Sequence, residues 1–199
     1  MSNTTRSTAT EDGLVPPEVE RRLVHAGGAV VPLAWAVGFI EWRVVQAIAA
    51  LGVVLAGLME AGRLSGLLDW AIYDRLTREY EQENVAGYAL YTVGMAIAAF
   101  GFPARVATPA MLMLAIADPV SGLLGSGNLK KQTWVLFATF GVATILAVPF
   151  VGSVPAILGG AAATLADGAK PVVRGYVIDD NLTIPPAAAV AITAGLALV

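Results

Sequence analysis

The sequence predicts an all-α protein, a polytopic membrane bundle of about seven transmembrane helices with its N-terminus in the cytoplasm. Three observations carry that prediction. Hydrophobic residues fill 57% of 199 positions and the mean hydropathy is +0.71, too apolar for a soluble domain of this size. Apolar stretches, several near twenty residues long, recur along the whole chain at the length that crosses a bilayer. The basic residues segregate to alternate connections between those stretches, as the positive-inside rule requires.

Residues 1–17 are polar, Ser/Thr-rich and acidic, without the layout of a signal peptide, and read as a disordered tail. The remainder, 18–199, reads as one transmembrane domain. Its first span is predicted over 23–40, entered through a charged segment at 18–22. A tight turn, Glu41-Trp42-Arg43, leads to a second span over 44–59, followed by the longest polar stretch, 60–84. The third span covers 85–102, and Pro103 to Arg105 turns into a fourth over 106–124. Spans over 133–151, 152–166 and 182–199 complete the set. A crossing helix needs roughly 17–25 apolar residues, so the second and sixth spans must borrow flanking residues. The sixth, Gly/Ala-rich, also reads as a re-entrant hairpin. Within the long polar stretch, 64–80 shows helical spacing of apolar residues with Trp70 and Tyr73 among them. That pattern fits either an amphipathic interfacial helix or a loop helix packed on the bundle.

With seven spans and an internal N-terminus, ten of the twelve Lys/Arg lie inside and only Arg43 and Arg105 outside. A re-entrant sixth span would move Lys170 and Arg174 outside and weaken the bias, which favours seven. Of fifteen Asp/Glu, only Glu41 falls outside. Function is therefore predicted at the cytoplasmic face of a multi-pass cell-membrane protein.

The residue inventory narrows the chemistry. Without cysteine there are no disulfides, thiolate metal sites or Cys nucleophiles, and His25 is the single histidine. Carboxylates, Lys/Arg and backbone groups suit charge handling, as in phosphoryl transfer, better than acyl hydrolysis. A net charge of −3, with no basic run, speaks against a nucleic-acid partner.

Asp118 is the sharpest candidate. It follows an apolar run and precedes Pro119, and an intramembrane Asp costs roughly 2.5–3.5 kcal/mol on insertion scales. Pro119 removes a backbone donor and opens the helix toward a polar cavity; the plainer reading is a cap on a broken helix. Lys130 and Lys131 follow the flexible Gly125-Ser126-Gly127-Asn128 and suit either nucleotide phosphates or an inside anchor. Asp179, Asp180 and Asn181 offer oxygen ligands for Mg²⁺ or, alternatively, an N-cap for the last helix. Asp167 adds a carboxylate on the same face. His25 suits a phosphate contact or a proton shuttle, or a structural place at the interface. Glu60 and Arg63, three apart on one helix face, either join the site or pair with each other.

These residues, in this order, carry a resemblance. Arg21-Arg22-Leu23-Val24-His25, Glu60-Ala61-Gly62-Arg63, Ala117-Asp118-Pro119-Val120-Ser121-Gly122, Lys130-Lys131-Gln132-Thr133-Trp134 and Asp179-Asp180-Asn181-Leu182-Thr183-Ile184-Pro185 stand in the chain. Together they resemble the polyprenol kinase family, comprising dolichol kinase, phytol kinase and the CTP-dependent diacylglycerol kinase, over about residues 18–186. The resemblance implies transfer of the terminal phosphate of a nucleoside triphosphate, commonly CTP, to a membrane lipid alcohol with Mg²⁺ or another divalent cation. It implies catalytic roles for Asp118, Asp180 and His25. It implies metal ligation by Asp118, Asp179, Asp180, Glu60 and Asp167, and phosphate or nucleotide contacts from Lys130, Lys131, Arg63, Arg22 and Asn181. Two departures stand out: Val135-Leu136-Phe137 replaces the usual Glu-Gly-Ser, and Asp167 stands where the family has Glu. The alternatives are a cytidylyltransferase forming a CDP-activated lipid and a non-catalytic membrane relative.

Overall fold

A computed structural model describes residues 17–67, 84–125, 131–169, 172–173 and 176–199. The predicted tail up to residue 16, Lys130, and nearly all of the amphipathic stretch at 64–80 lie outside them, while Pro17, the tail's last residue, opens a helix. The described chain is helical apart from one two-residue β-ladder, and helices stand at all seven predicted span positions. Three are long and apolar enough to cross a membrane: Trp42–Leu64, Ala104–Leu124 and Thr133–Val151.

The first predicted span is not one helix. It divides into α1 (Pro17–Gly27) and α2 (Val30–Ala36). Pro32 has no amide to offer the carbonyl four residues back, so a helix can only restart with Pro32 in its first turn. The break falls at Gly28, where the Tyr91 hydroxyl lies in the space a Cβ would occupy. Gly38, at φ 77°, closes α2 with a Schellman turn: its N–H donates to the Trp35 carbonyl, and that of Phe39 to Ala34.

α3 (Trp42–Leu64) does borrow residues at both ends of its predicted span, reaching 23 residues. Gly66, at φ 72°, ends it in a second Schellman turn, with Leu67 donating to the Gly62 carbonyl. α4 (Gly87–Gly101) returns alongside it, and Pro103 caps α5 (Ala104–Leu112). α5 continues through a π-helical segment (Met113–Ala117) into α6 (Asp118–Leu124). α7 (Thr133–Val151) turns at Gly152 into α8 (Ser153–Gly168). α8 is continuous over 16 residues and is not a re-entrant hairpin. An antiparallel ladder of β1 (Val172–Val173) with β2 (Tyr176–Val177) then reverses the chain into α9 (Asp180–Leu196).

The run Ala104–Leu124 forms the axis of the bundle: 72% of its span window is buried, against 17% and 22% for α3 and α7. α5 meets α2, α4, α7 and α9. Small residues set the close approaches of α8 to α9. A Cβ at Gly195 would stand 2.6 Å from the Pro155 backbone, and one at Gly159 would meet Ile192. The outward faces of α3 and α7 expose Leu51, Leu55, Leu58, Phe137 and Ile145, a surface that suits lipid and not water.

Candidate functional site

The site begins with a local defect. In the π-helical segment the Asp118 N–H donates to the carbonyl of Met113, five residues back. In that register the Leu114 carbonyl should receive the N–H of residue 119, but residue 119 is proline and has none. The orphaned oxygen is taken instead by His25 Nε2 at 3.0 Å. A carbonyl only accepts, so Nε2 carries the imidazole proton. The same nitrogen stands 3.6 Å from Asp118 Oδ2. Arg22, three residues earlier on the same face of α1, donates from Nη1 to the Pro119 carbonyl at 3.3 Å. Its guanidinium lies where a Cβ at residue 122 would be, so Gly122 makes room for it. Tyr91 braces the arrangement, donating from its hydroxyl to the His25 carbonyl at 3.1 Å and meeting the imidazole edge-on at 4.4 Å.

Three helices then bring carboxylates together. Asp118 opens α6, Asp167 ends α8 and Asp180 opens α9, and one ligand oxygen from each lies within 4.8 Å of the others. Asp167 and Asp180 are buried and Asp118 is partly so. Lys131, just ahead of α7, pairs with Asp167 Oδ1 and donates to Ser121 Oγ at 2.8 Å. Ser121 in turn donates to Asp167 Oδ2 at 2.7 Å. The donor set is entirely hard oxygen, which suits Mg²⁺ or Mn²⁺ over softer metals. Oxygens on opposite sides of a Mg²⁺ shell lie about 4.2 Å apart, so oxygens spread over as much as 4.8 Å must draw in by a few tenths of an ångström to share one such cation.

At the N-terminus of α9, Asp179 is the N-cap. Its Oδ1 accepts from the Asn181 backbone at 3.0 Å and from Asn181 Nδ2 at 2.6 Å. The capping reading of Asp179 therefore holds, and Asp179 stands outside the trio of ligand oxygens. The Asn181 Oδ1 is buried with no hydrogen-bond partner among the described residues, beside Asp180. Gly94 of α4 admits the Asn181 carbonyl where a Cβ would collide, which fixes this turn against the bundle.

Glu60 and Arg63 form a separate cluster at the joint of α3 and α4. Buried Glu60 pairs with Arg63 and accepts from the Ala86 N–H at 3.0 Å and the Tyr88 hydroxyl at 2.5 Å. Arg63 also donates to the Asn84 carbonyl at 2.6 Å. The two residues pair, and Glu60 is not part of the trio. Val135 is fully buried in α7, facing Gly125.

Three members of the site, Ser121, Gly122 and Tyr91, carried no assigned role in the sequence. Ser121 was findable: it lies one turn from Asp118, on the same face of a short helix. Gly122 was not, since only the path of Arg22 gives it meaning. Comparison of the chain with family models, with curated proteins and with solved structures finds no match.

Proposed function

We propose that the chain is a lipid-alcohol kinase working at the inner face of the cell membrane, with seven crossing segments and a cytoplasmic N-terminus. The observation that supports this reading is the convergence of Asp118, Asp167 and Asp180 from three helices beside Lys131. Such a group of carboxylates and a cation is what phosphoryl transfer asks of a protein, since that reaction is mostly positioning and charge neutralisation.

In this reading Asp118, Asp167 and Asp180 would hold Mg²⁺, which would supply charge neutralisation for the phosphates of the nucleotide, taken to be CTP. Lys131, with Lys130 beside it in sequence, faces those phosphates. Arg22 and Asn181 border the same space, whereas Arg63 serves the α3–α4 joint. The lipid hydroxyl attacks the terminal phosphorus, a new O–P bond forms, and the bond to the nucleoside diphosphate breaks. The hydroxyl proton passes to a carboxylate, and Asp118 is the most exposed of the three. His25 holds its Nε2 proton against the Leu114 carbonyl, so its part is to position the Asp118 helix.

The test is purified protein with Mg²⁺, terminally labelled CTP and a long-chain isoprenoid alcohol. Label appearing on the lipid is the expected result. Label released as pyrophosphate would instead mark cytidylyl transfer. Asp118→Asn and Asp180→Asn should each lower the rate a hundredfold or more, on the order of 3 kcal/mol. Full activity in both variants would overturn the assignment.

A further inference from the structure

Ser121 is an alcohol set inside a site read as one that phosphorylates alcohols. It follows Asp118 by three residues on the same face of α6, a spacing that puts Cβ atoms about 5–6 Å apart. The residue is fully buried. Its Oγ donates to Asp167 Oδ2 at 2.7 Å, so its proton already points at a carboxylate of the trio. The Lys131 ammonium donates to the same Oγ at 2.8 Å and pairs with Asp167 through Oδ1.

Hydroxyl, base and cation stand in the order that activates a serine: the nucleophile is bonded to a base, and a third group orients that base. Lys131 decides when the hydroxyl is available. A serine oxygen has two lone pairs, and the resting ammonium occupies one of them and covers the atom. Within the pair the lysine is the partly exposed member, its side chain at 14% against 1% for Asp167. An ammonium drawn to the phosphates of a nucleotide leaves Oγ, while the serine proton stays on Asp167. The freed hydroxyl is then one helical turn from Asp118, where the cation and its phosphate would sit. A bound lipid alcohol competes for the same phosphorus. Without one, Ser121 is the alcohol within reach.

We propose that, when no lipid alcohol is bound, the protein transfers the terminal phosphate of a nucleoside triphosphate to its own Ser121 and shuts itself off. This rests on the kinase reading above and adds a modification site to it. Ser121 Oγ attacks the terminal phosphorus and its proton passes to Asp167 Oδ2. The Oγ–P bond forms, and the P–O bond to the nucleoside diphosphate breaks. The product sets a phosphate of charge about −1.5 to −2, with three acceptor oxygens, beside the trio of carboxylates. Lys131 and the cation are the groups that neutralise it, so both are withheld from the next nucleotide.

The experiment uses the full-length protein in detergent with Mg²⁺ and terminally labelled CTP, with and without a long-chain isoprenoid alcohol, and maps protein-bound label by peptide mass spectrometry. Without lipid, one phosphate per chain should appear on Ser121, at a rate per chain that is constant over a tenfold range of protein concentration. Lipid phosphorylation started afterwards should be at least tenfold slower than in untreated protein. Excess lipid alcohol present from the start should suppress the protein label at least tenfold, and Asp180→Asn should lose it. Label on the lipid with none on Ser121 overturns the self-transfer and leaves the kinase reading intact. Ser121 label that moves on to the alcohol in a chase also overturns it, since the phosphate is then an intermediate and not a block. Label that survives Asp180→Asn, or whose rate per chain rises with protein concentration, comes from another molecule and overturns it too. Label on neither protein nor lipid overturns the kinase reading itself, and the self-transfer with it.

Discussion

Replacing Lys131 by Met tests whether the carboxylates form one electrostatic unit. In the wild type the ammonium pairs with Asp167 and receives Ser121 Oγ as an acceptor, and the two charged side chains are 14% and 1% exposed. Removing one partner of a buried ion pair costs about 3–5 kcal/mol, because the other charge stays buried without compensation. Ser121 still donates to Asp167 Oδ2, and the lysine is slightly exposed, so the lower end applies. A loss of about 3 kcal/mol lowers the melting temperature by about 6–12 °C in a chain of this size. The assay is thermal unfolding in detergent micelles, with and without Mg²⁺. If the three carboxylates bind a cation, Mg²⁺ at a hundred times its Kd returns about 2.7 kcal/mol. The wild type should gain less, since there the cation competes with Lys131 for Asp167. Adding Asp167→Leu to Lys131→Met should recover most of the loss and abolish the Mg²⁺ response, as an apolar pair replaces the ionic one. A Lys131→Met protein as stable as wild type, or one indifferent to Mg²⁺, would refute the reasoning.

His25→Phe should cost about 1–3 kcal/mol by leaving the Leu114 carbonyl unsatisfied. Pro119→Ala supplies the missing N–H, so the cost of His25→Phe should shrink in that background, which a double-mutant cycle in thermal unfolding will read. Glu60→Ala should destabilise by about 3 kcal/mol or more, since it strands Arg63 and the donors at Ala86 and Tyr88. The Mg²⁺ concentration giving half-maximal stabilisation should not move in Glu60→Ala, and a tenfold shift would place Glu60 at the metal.

The helices were legible because hydropathy over a window of about twenty residues answers to the bilayer alone, independent of neighbours. Asp118 was legible for the same reason: a carboxylate within an apolar run is costly and draws notice. What such a window cannot register is local backbone supply. The division at Gly28 follows from the missing amide of Pro32 and the closeness of Tyr91, and average hydropathy across 23–40 is blind to both. The π-helical register before Asp118 likewise depends on one absent N–H at Pro119. Glu60 was ambiguous because a carboxylate three residues from an arginine looks the same whether it is free for a ligand or saturated. Its partners Ala86 and Tyr88 come from another helix. Asp167 entered the sequence reading only as a carboxylate on the right face. Its contact with Ser121 and Lys131 joins residues 36 to 46 positions apart and exists only after α7 and α8 pair.

The helix termini explain why the lysine pairs with Asp167 and not with another member of the trio. Asp180 opens α9, where exposed amides and the positive end of the helix dipole favour a carboxylate, and Asp118, inside the continuous run Ala104–Leu124, has His25 Nε2 at 3.6 Å. Asp167 is the penultimate residue of α8, where unsatisfied carbonyls oppose it. It is also the most deeply buried of the three. A negative charge at that end needs a cation and a donor from elsewhere, and Lys131 and Ser121 provide them from the adjoining α7 and α6. Lys131 is thereby placed by a structural need, yet its ammonium ends on Asp167, a member of the trio. In the proposed kinase reading, the charge that makes Asp167 tolerable in the bundle is also the one that would meet an incoming phosphate, which would couple stability to phosphate recognition through a single side chain.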